Sequence, residues 1–309
     1  MDSFFTSVSE SFEKLGRDFK QAVDKIGSDY NRSTKVAQRA KTAKSCGIVS
    51  ERDAGLTSFP EYVCELGERA KVVDISANRI GAIPDDIKHL TKTQKLNMSC
   101  NVIAAVPIAL CVSLVNLKVL NLSRNKLRAV PTEIGSLTKL EELTLADNKI
   151  NELPPTVSKL GKLTRLNLAR NELEERSELD DQKKEDVSNP KNKISGLAYL
   201  GYCPNLQTLT LDGNPNLETL PTELGLCTKL TTLSCDDTKL KTIPNEILTG
   251  CVKLCNLSMK GTRVDVNLMR NTPGYDAFDE RRVKSRNKQI AGNVLVGGLD
   301  DVVGENQKR

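Results

Sequence analysis

Residues 117–154 read LKVLNLSRNKLRAVPTEIGSLTKLEELTLADNKINELP. An eleven-position pattern, L-x-x-L-x-L-x-x-N-x-L, occurs in it twice. Leu117, Leu120, Leu122, Asn125 and Leu127 form the first copy, and Leu140, Leu143, Leu145, Asn148 and Ile150 the second. The copies lie 23 residues apart, and each is followed by an apolar residue and a proline, Val130-Pro131 and Leu153-Pro154. Self-similarity at a fixed period of this length is the mark of a solenoid, whose units bury their apolar faces only against their neighbours. Within each copy the alternation L-x-L predicts a short strand with its leucines turned inward. Strands of successive units then lie side by side in one parallel sheet. An asparagine amide mimics a peptide group and bonds backbone where the chain leaves the strand. Stacked units therefore predict an asparagine ladder.

Outward from this stretch the ladder runs Asn78, Asn101, Asn125, Asn148, Asn171 and Asn214, with Thr238 and Thr262 in the same slot of the last two units. Prolines at 60, 84, 107, 131, 154, 221 and 244 each follow an apolar residue. Three residues past each comes another apolar position: Val63, Ile87, Leu110, Ile134, Val157, Leu224 and Ile247. These close the core behind the sheet. The period and spacing are those of a leucine-rich repeat, so the expected fold is an α/β repeat solenoid: a leucine-rich-repeat horseshoe with its parallel sheet on the concave face. About nine units occupy residues 46–270. The first, at 46–69, is degenerate, with polar Glu51 where a core residue belongs, as expected of a unit open to solvent on one side. One gap breaks the rhythm: Asn171 to Asn214 spans 43 residues, and the excess at about 174–193, EERSELDDQKKEDVSNPKNK, is too polar to order itself by burial.

Both ends depart from the repeat. In residues 1–45, Phe5, Val8, Phe12, Leu15, Phe19, Val23 and Ile26 recur every three or four positions, one apolar stripe on an amphipathic helix. The opposite face balances Glu10, Glu13, Asp18 and Asp24 against Lys14, Arg17, Lys20 and Lys25. A basic linker follows, with Arg32, Lys35, Arg39, Lys41 and Lys44 and no acids. Helix and basic run together suit a membrane surface through residues 4–44, whereas the neutral polar face favours docking on the solenoid or pairing with another helix. At the other end, 271–290 reads as a capping helix in which Tyr275 and Phe278 cover the last unit, and 291–309 as a loose tail.

Composition narrows function by exclusion. The chain of 309 residues carries net charge +5, too mild to point to nucleic acid. No apolar run approaches a transmembrane helix, and the N-terminus lacks the charged start and apolar core of a signal peptide. The nine cysteines include no C-x-x-C pair and several replace small apolar residues of the repeat, so buried free thiols in a reducing, cytoplasmic compartment are expected. The one histidine, His89, lies in a polar segment, and Asp85-Asp86 and Asp180-Asp181 sit in turn or loop sequence. No phosphate loop, nucleophile elbow or Cys/His ligand cluster is present, so no enzyme, no cofactor and no metal is expected.

The spacing instead marks a partner-binding surface on the concave face. Between the two strand leucines come Asp74, Asn97, Asn121 and Asn167, all short and polar. Two positions earlier come Lys95, Glu142 and Arg165, and just before the ladder residue come Arg124, Asp147, Arg170 and Asp237. Mid-solenoid arginines thus gather around Glu142 and Asp147, while Asp212, Asp236 and Asp237 make the C-terminal section acidic. Arginine is favoured at binding hot spots, so this polarised strip is expected to receive a protein.

The apolar-Pro steps IPDDI, VPTEI and IPNEI resemble the intracellular Ras-group leucine-rich-repeat proteins. The stretch MKGTRVDVNLMRNTPGYDAFDERRVKSRNKQI, with Gly274, Tyr275, Phe278 and Arg281, resembles the closing repeat and helix of leucine-rich repeat-containing protein 57 and its plant relatives. The resemblance implies a non-enzymatic intracellular adaptor or scaffold in signal transduction. It also brings in a small GTPase or its regulator as a candidate partner, although no residue demands one. Members of that group often begin Met-Gly, which suits myristoylation; this chain begins Met-Asp. The alternative expectation is a peripheral membrane scaffold localised by the N-terminal helix.

Overall fold

The computed structural model describes residues 37–173 and 196–291. The amphipathic helix at 4–26, the charged insertion at about 174–193 and the tail beyond 291 lie outside the described residues.

Among the described residues, nine three-residue strands stack in chain order into one parallel sheet. They are β1 (Ile48–Ser50), β2 (Val72–Asp74), β3 (Lys95–Asn97), β4 (Val119–Asn121), β5 (Glu142–Thr144), β6 (Arg165–Asn167), β7 (Thr208–Thr210), β8 (Thr232–Ser234) and β9 (Asn256–Ser258). The register pairs like positions of successive repeats: Leu120 faces Leu143, which faces Leu166. Only the middle residue of each strand is buried, from Val49 and Val73 through Leu143 to Leu257, each at most 2% exposed. Its two neighbours point to the open face. A strand this short follows from the period: each unit spends the rest of its residues returning along the outer wall.

The outer wall consists of single helical turns, mostly 3-10, such as Asp85–His89, Thr132–Ser136, Pro155–Lys159 and Thr222–Leu226. The recurring proline is the residue before each turn, with φ near −70°, and its carbonyl accepts the N–H of the apolar residue three further on, as in Ile87 to Pro84 at 3.1 Å. Proline suits this place because its fixed φ leads into the turn and it has no donor to leave unpaired. Successive turns nearly touch. A β-carbon on Gly135 would come within 2.6 Å of the Thr156 carbonyl oxygen, so glycine lets these walls close. The unit after the insertion lacks the proline, and its turn Ala198–Tyr202 starts from Leu197 instead.

At the N-terminal end the structure corrects two expectations. The basic segment expected as a linker is helical over 37–46, with Ala43 buried against the first unit. Glu51, which seemed a fault in a degenerate repeat, is an anchor. It is 2% exposed, and its carboxylate accepts from Arg39 Nη1 at 2.6 Å and from the Tyr62 hydroxyl at 2.7 Å. A buried carboxylate is tolerable only when so partnered. Residues 37–46 thus cover the open edge of the first unit.

At the C-terminal end a short helix, Val266–Arg270, capped by the Asp265 side chain on Asn267 N, precedes the helix Tyr275–Ala291. Phe278 is buried, and Tyr275 packs partly buried beside it. Arg281 donates to the carbonyls of Leu254 at 3.1 Å and Leu248 at 3.0 Å, satisfying backbone acceptors that a further unit would otherwise cover.

Candidate interaction surface

The ladder asparagines hold each strand exit in place. Asn148 Nδ2 donates to the carbonyls of Leu145 and Ala146 in its own unit and of Leu122 in the unit before. Its Oδ1 accepts Leu127 N at 3.0 Å. Asn78, Asn101, Asn125, Asn171 and Asn214 repeat the scheme. Thr238 and Thr262 reproduce only the bond within their own unit, to Cys235 and Met259.

The residue before each ladder position, and Asp53 at the equivalent place in the first unit, has φ between +52° and +69°: Asp53, Ala77, Cys100, Arg124, Asp147, Arg170, Gly213, Asp237 and Gly261. Left-handed backbone is costly for residues with a β-carbon. Successive members lie one period apart, except that the step from Arg170 to Gly213 also spans the insertion, and the whole row is presented in one fixed backbone conformation. The sequence signal for this was the pair of glycines, Gly213 and Gly261, in a slot otherwise filled by larger side chains.

Several residues expected to meet a partner do structural work. Asp74, Asn97 and Asn121 each turn Oδ1 back to the backbone N–H and hydroxyl of the serine two residues on, Ser76, Ser99 and Ser123. Asn167 caps Ala169 N in the same way. Toward the C-terminus the carboxylates bridge units instead: Asp212 accepts from Ser234 Oγ at 2.6 Å and Asp236 N at 2.8 Å, and Asp236 from Ser258 Oγ at 2.6 Å and Lys260 N at 2.7 Å. Asp237 is exposed beside them.

The mid-solenoid charges come together across strands. Glu142 on β5 lies directly opposite Arg165 on β6, and one carboxylate oxygen takes both Nε at 3.2 Å and Nη2 at 2.6 Å. Asp147 lies between two guanidinium groups. Arg170 binds it through Nε and through Nη2, the latter at 3.1 Å, and Arg124 approaches from the preceding unit with Nε 3.8 Å from Oδ2. Hydrogen bonding to Asp147, then its charge, holds the Arg170 guanidinium more firmly protonated. All three arginines remain more than half exposed. Lys95 is exposed at the preceding end of the same face. These pairs were foreseeable from opposite charges one period apart, 142 with 165 and 147 with 170.

Six cysteines are buried and free: 64, 111, 203, 227, 235 and 251. Cys46 is exposed, and Cys100 and Cys255 are half-buried. Among the described residues no His, Cys, Asp and Glu cluster suits a metal ion, and no helix is long and apolar enough to cross a membrane.

A family model described as "Leucine-rich repeat region" matches residues 95–179. The chain aligns over 71 residues, at 32% identity, with plant intracellular Ras-group-related LRR protein 7 of Oryza sativa subsp. japonica, covering 23% of this chain and 27% of the relative. An LRR protein of Leptospira interrogans superposes with a TM-score of 0.60 at 26% identity, over 71% of this chain and 51% of that one. The fold is a leucine-rich-repeat solenoid. The leucine-rich-repeat ectodomain of the Arabidopsis receptor kinase HAESA, in complex with an N-terminally extended IDA peptide hormone, is similar with a TM-score of 0.54 at 26% identity, over 67% of this chain and 32% of that one. The solenoid therefore spans about a quarter of the rice relative's length and about half of the Leptospira chain's.

Proposed function

We propose that this leucine-rich-repeat protein is a non-enzymatic intracellular adaptor that binds an acidic segment of a partner protein on its sheet face. The observation that carries the reading is the arginine arrangement on β4–β6. Three guanidinium groups and Lys95 share one face, where Glu142 and Asp147 pair with the arginines and Asp212 adds its charge beside Arg170. Asp147 is already engaged by Arg170, so Arg124 keeps donors free for an incoming carboxylate. Arginine binds carboxylates in a planar, two-pronged geometry, and less desolvation opposes it than opposes lysine. The strand backbone and the fixed left-handed row hold these groups in place before binding, which lowers the ordering cost of association. The peptide-bound HAESA ectodomain, a similar solenoid, supports a peptide-like ligand. The free buried thiols and the rice relative's printed description as intracellular support the compartment.

The test is affinity capture from native lysate with quantitative mass spectrometry, comparing wild type with Arg124→Ala/Arg165→Ala/Arg170→Ala. The side chains are exposed and their ion pairs contribute little to stability, so the variant stays folded. Binding by this face predicts that a partner enriched on wild type is lost from the variant, and that raising salt weakens capture. Undiminished capture of the same partner by the folded variant refutes the reading.

A further inference from the structure

Between Lys95 and Lys118 no residue carries a charge, in a chain that is 28% charged. The consequence lies on the outer wall of the third unit. Its helical turn is α-helical, Ile108–Ser113, and places Ile108 and Val112 one helical turn apart. Ile108 is 55% exposed, Val112 49%, Val115 41% and Val102 37%. Ala104 and Ala105 are exposed between them. Corresponding positions of other units carry Asp85, Thr132 and Pro155 in place of Ile108, and Arg79, Lys126 and Lys149 in place of Val102. One unit thus wears an apolar band from the strand-exit edge across the outer wall to the strand-entry edge. A contiguous apolar band is a candidate contact surface.

We propose that this band is the docking surface for the chain's own N-terminal segment, through the apolar positions Phe5, Phe12, Leu15 and Phe19. Three considerations select that occupant. The segment's apolar residues recur every three or four positions, and Ile108 and Val112 present an apolar pair one helical turn apart against which such a stripe can pack. The chain enters the described structure at residue 37, where Arg39 is tied to Glu51 at the first unit. Two strand spacings, about 10 Å, separate that unit from the third. The ten residues between Ile26 and 37 reach about 30 Å when extended.

Size weighs against a second copy of the chain as the occupant. A band one unit wide offers only about 300 Å², short of the roughly 800 Å² per partner that a stable dimer needs. A tethered segment needs less, because its effective concentration is on the order of millimolar.

Hydrogen–deuterium exchange of the full chain tests the proposal. Amides in 4–26 are expected to exchange at least tenfold more slowly in wild type than in Ile108→Asp/Val112→Asp, with β5–β9 unchanged. The reciprocal variant Phe12→Asp/Phe19→Asp should speed exchange in the outer turn at 108–115. Tyr202→Asp/Leu226→Asp, at two exposed apolar positions elsewhere on the outer wall, should leave 4–26 as in wild type. Four results overturn it: no protection of 4–26 in wild type; protection indifferent to residues 108 and 112; protection that rises with protein concentration, indicating a second copy; and protection only with phosphatidylserine vesicles.

Discussion

At the residue scale, the ladder position and the position before it divide stability from function. Asn148 satisfies three carbonyls and one N–H in a place water does not reach. Asn148→Ala strands those groups and should cost about 2–3 kcal/mol, read as a lower urea midpoint with unchanged slope. Asn148→Thr should cost less, because Thr238 shows that a hydroxyl still meets the carbonyl three residues back. Arg124, one slot before the ladder, behaves oppositely. Its φ of +54° is strained for a side chain with a β-carbon, and its guanidinium is exposed with one loose ion pair. Arg124→Gly should therefore gain about 0.5–1 kcal/mol of stability, while weakening partner capture if this face binds. A variant that is both more stable and less active would mean that the arginine is kept for something other than the fold. A loss of stability would instead assign Arg124 a structural role.

At the element scale, the ends of the solenoid and its outer turns carry chemistry that pattern reading passes over. Alternation and period place every strand centre, because burial on one face of a short strand leaves few choices of residue. Glu51 breaks that alternation, and its partner lies twelve residues upstream in a basic run that has no period of its own. Nothing local ties the two, so a docked helical segment reads as a linker. Arg39→Ala removes the charge partner of a buried carboxylate and should cost about 2–3 kcal/mol, with faster amide exchange confined to 37–50. The outer turns raise a pH effect. Burial pushes the thiols of Cys203 and Cys251 up to about 11 and those of Cys111 and Cys227 up to about 12. An unfolded thiol ionises near 8.5. Below that pH both states keep the proton and the contribution is whole. Above it the unfolded chain loses protons that the folded chain retains, so stability falls as pH rises toward 11–12. Each thiol's contribution to the decline approaches about 1.4 kcal/mol per pH unit once the unfolded thiol is ionised. Urea titrations under reductant between pH 8 and 10 should show it, with a shallower slope for Cys227→Ala than for wild type.

At the scale of the whole molecule, each unit meets only its neighbours, so stability is passed along the stack and the two ends decide where it begins to fail. The fold was legible because the period repeats the same demand nine times. The mid-solenoid charges were legible as positions, since they follow from the strand phase. Their pairing was foreseeable from opposite charges one period apart, and the register sets Glu142 directly opposite Arg165. In that pairing Asp147 and Glu142 already occupy part of the arginines' capacity. The C-terminal motif was legible as a resemblance, while its physics needed coordinates: Phe278 fills the open side of the last unit and Arg281 closes two carbonyls beyond which no strand follows β9 among the described residues. A one-dimensional stack then makes a directional prediction. Phe278→Ala should cost about 3 kcal/mol. The resulting gain in amide exchange should be greatest in β9, smaller in β8 and β7, and absent at β2 and β3. Leu143→Ala, in the centre of the stack, should instead raise exchange on both sides of β5. If Phe278→Ala speeds exchange equally in every strand, the units are not coupled as nearest neighbours and the helix at 275–291 is an integral part of one global core.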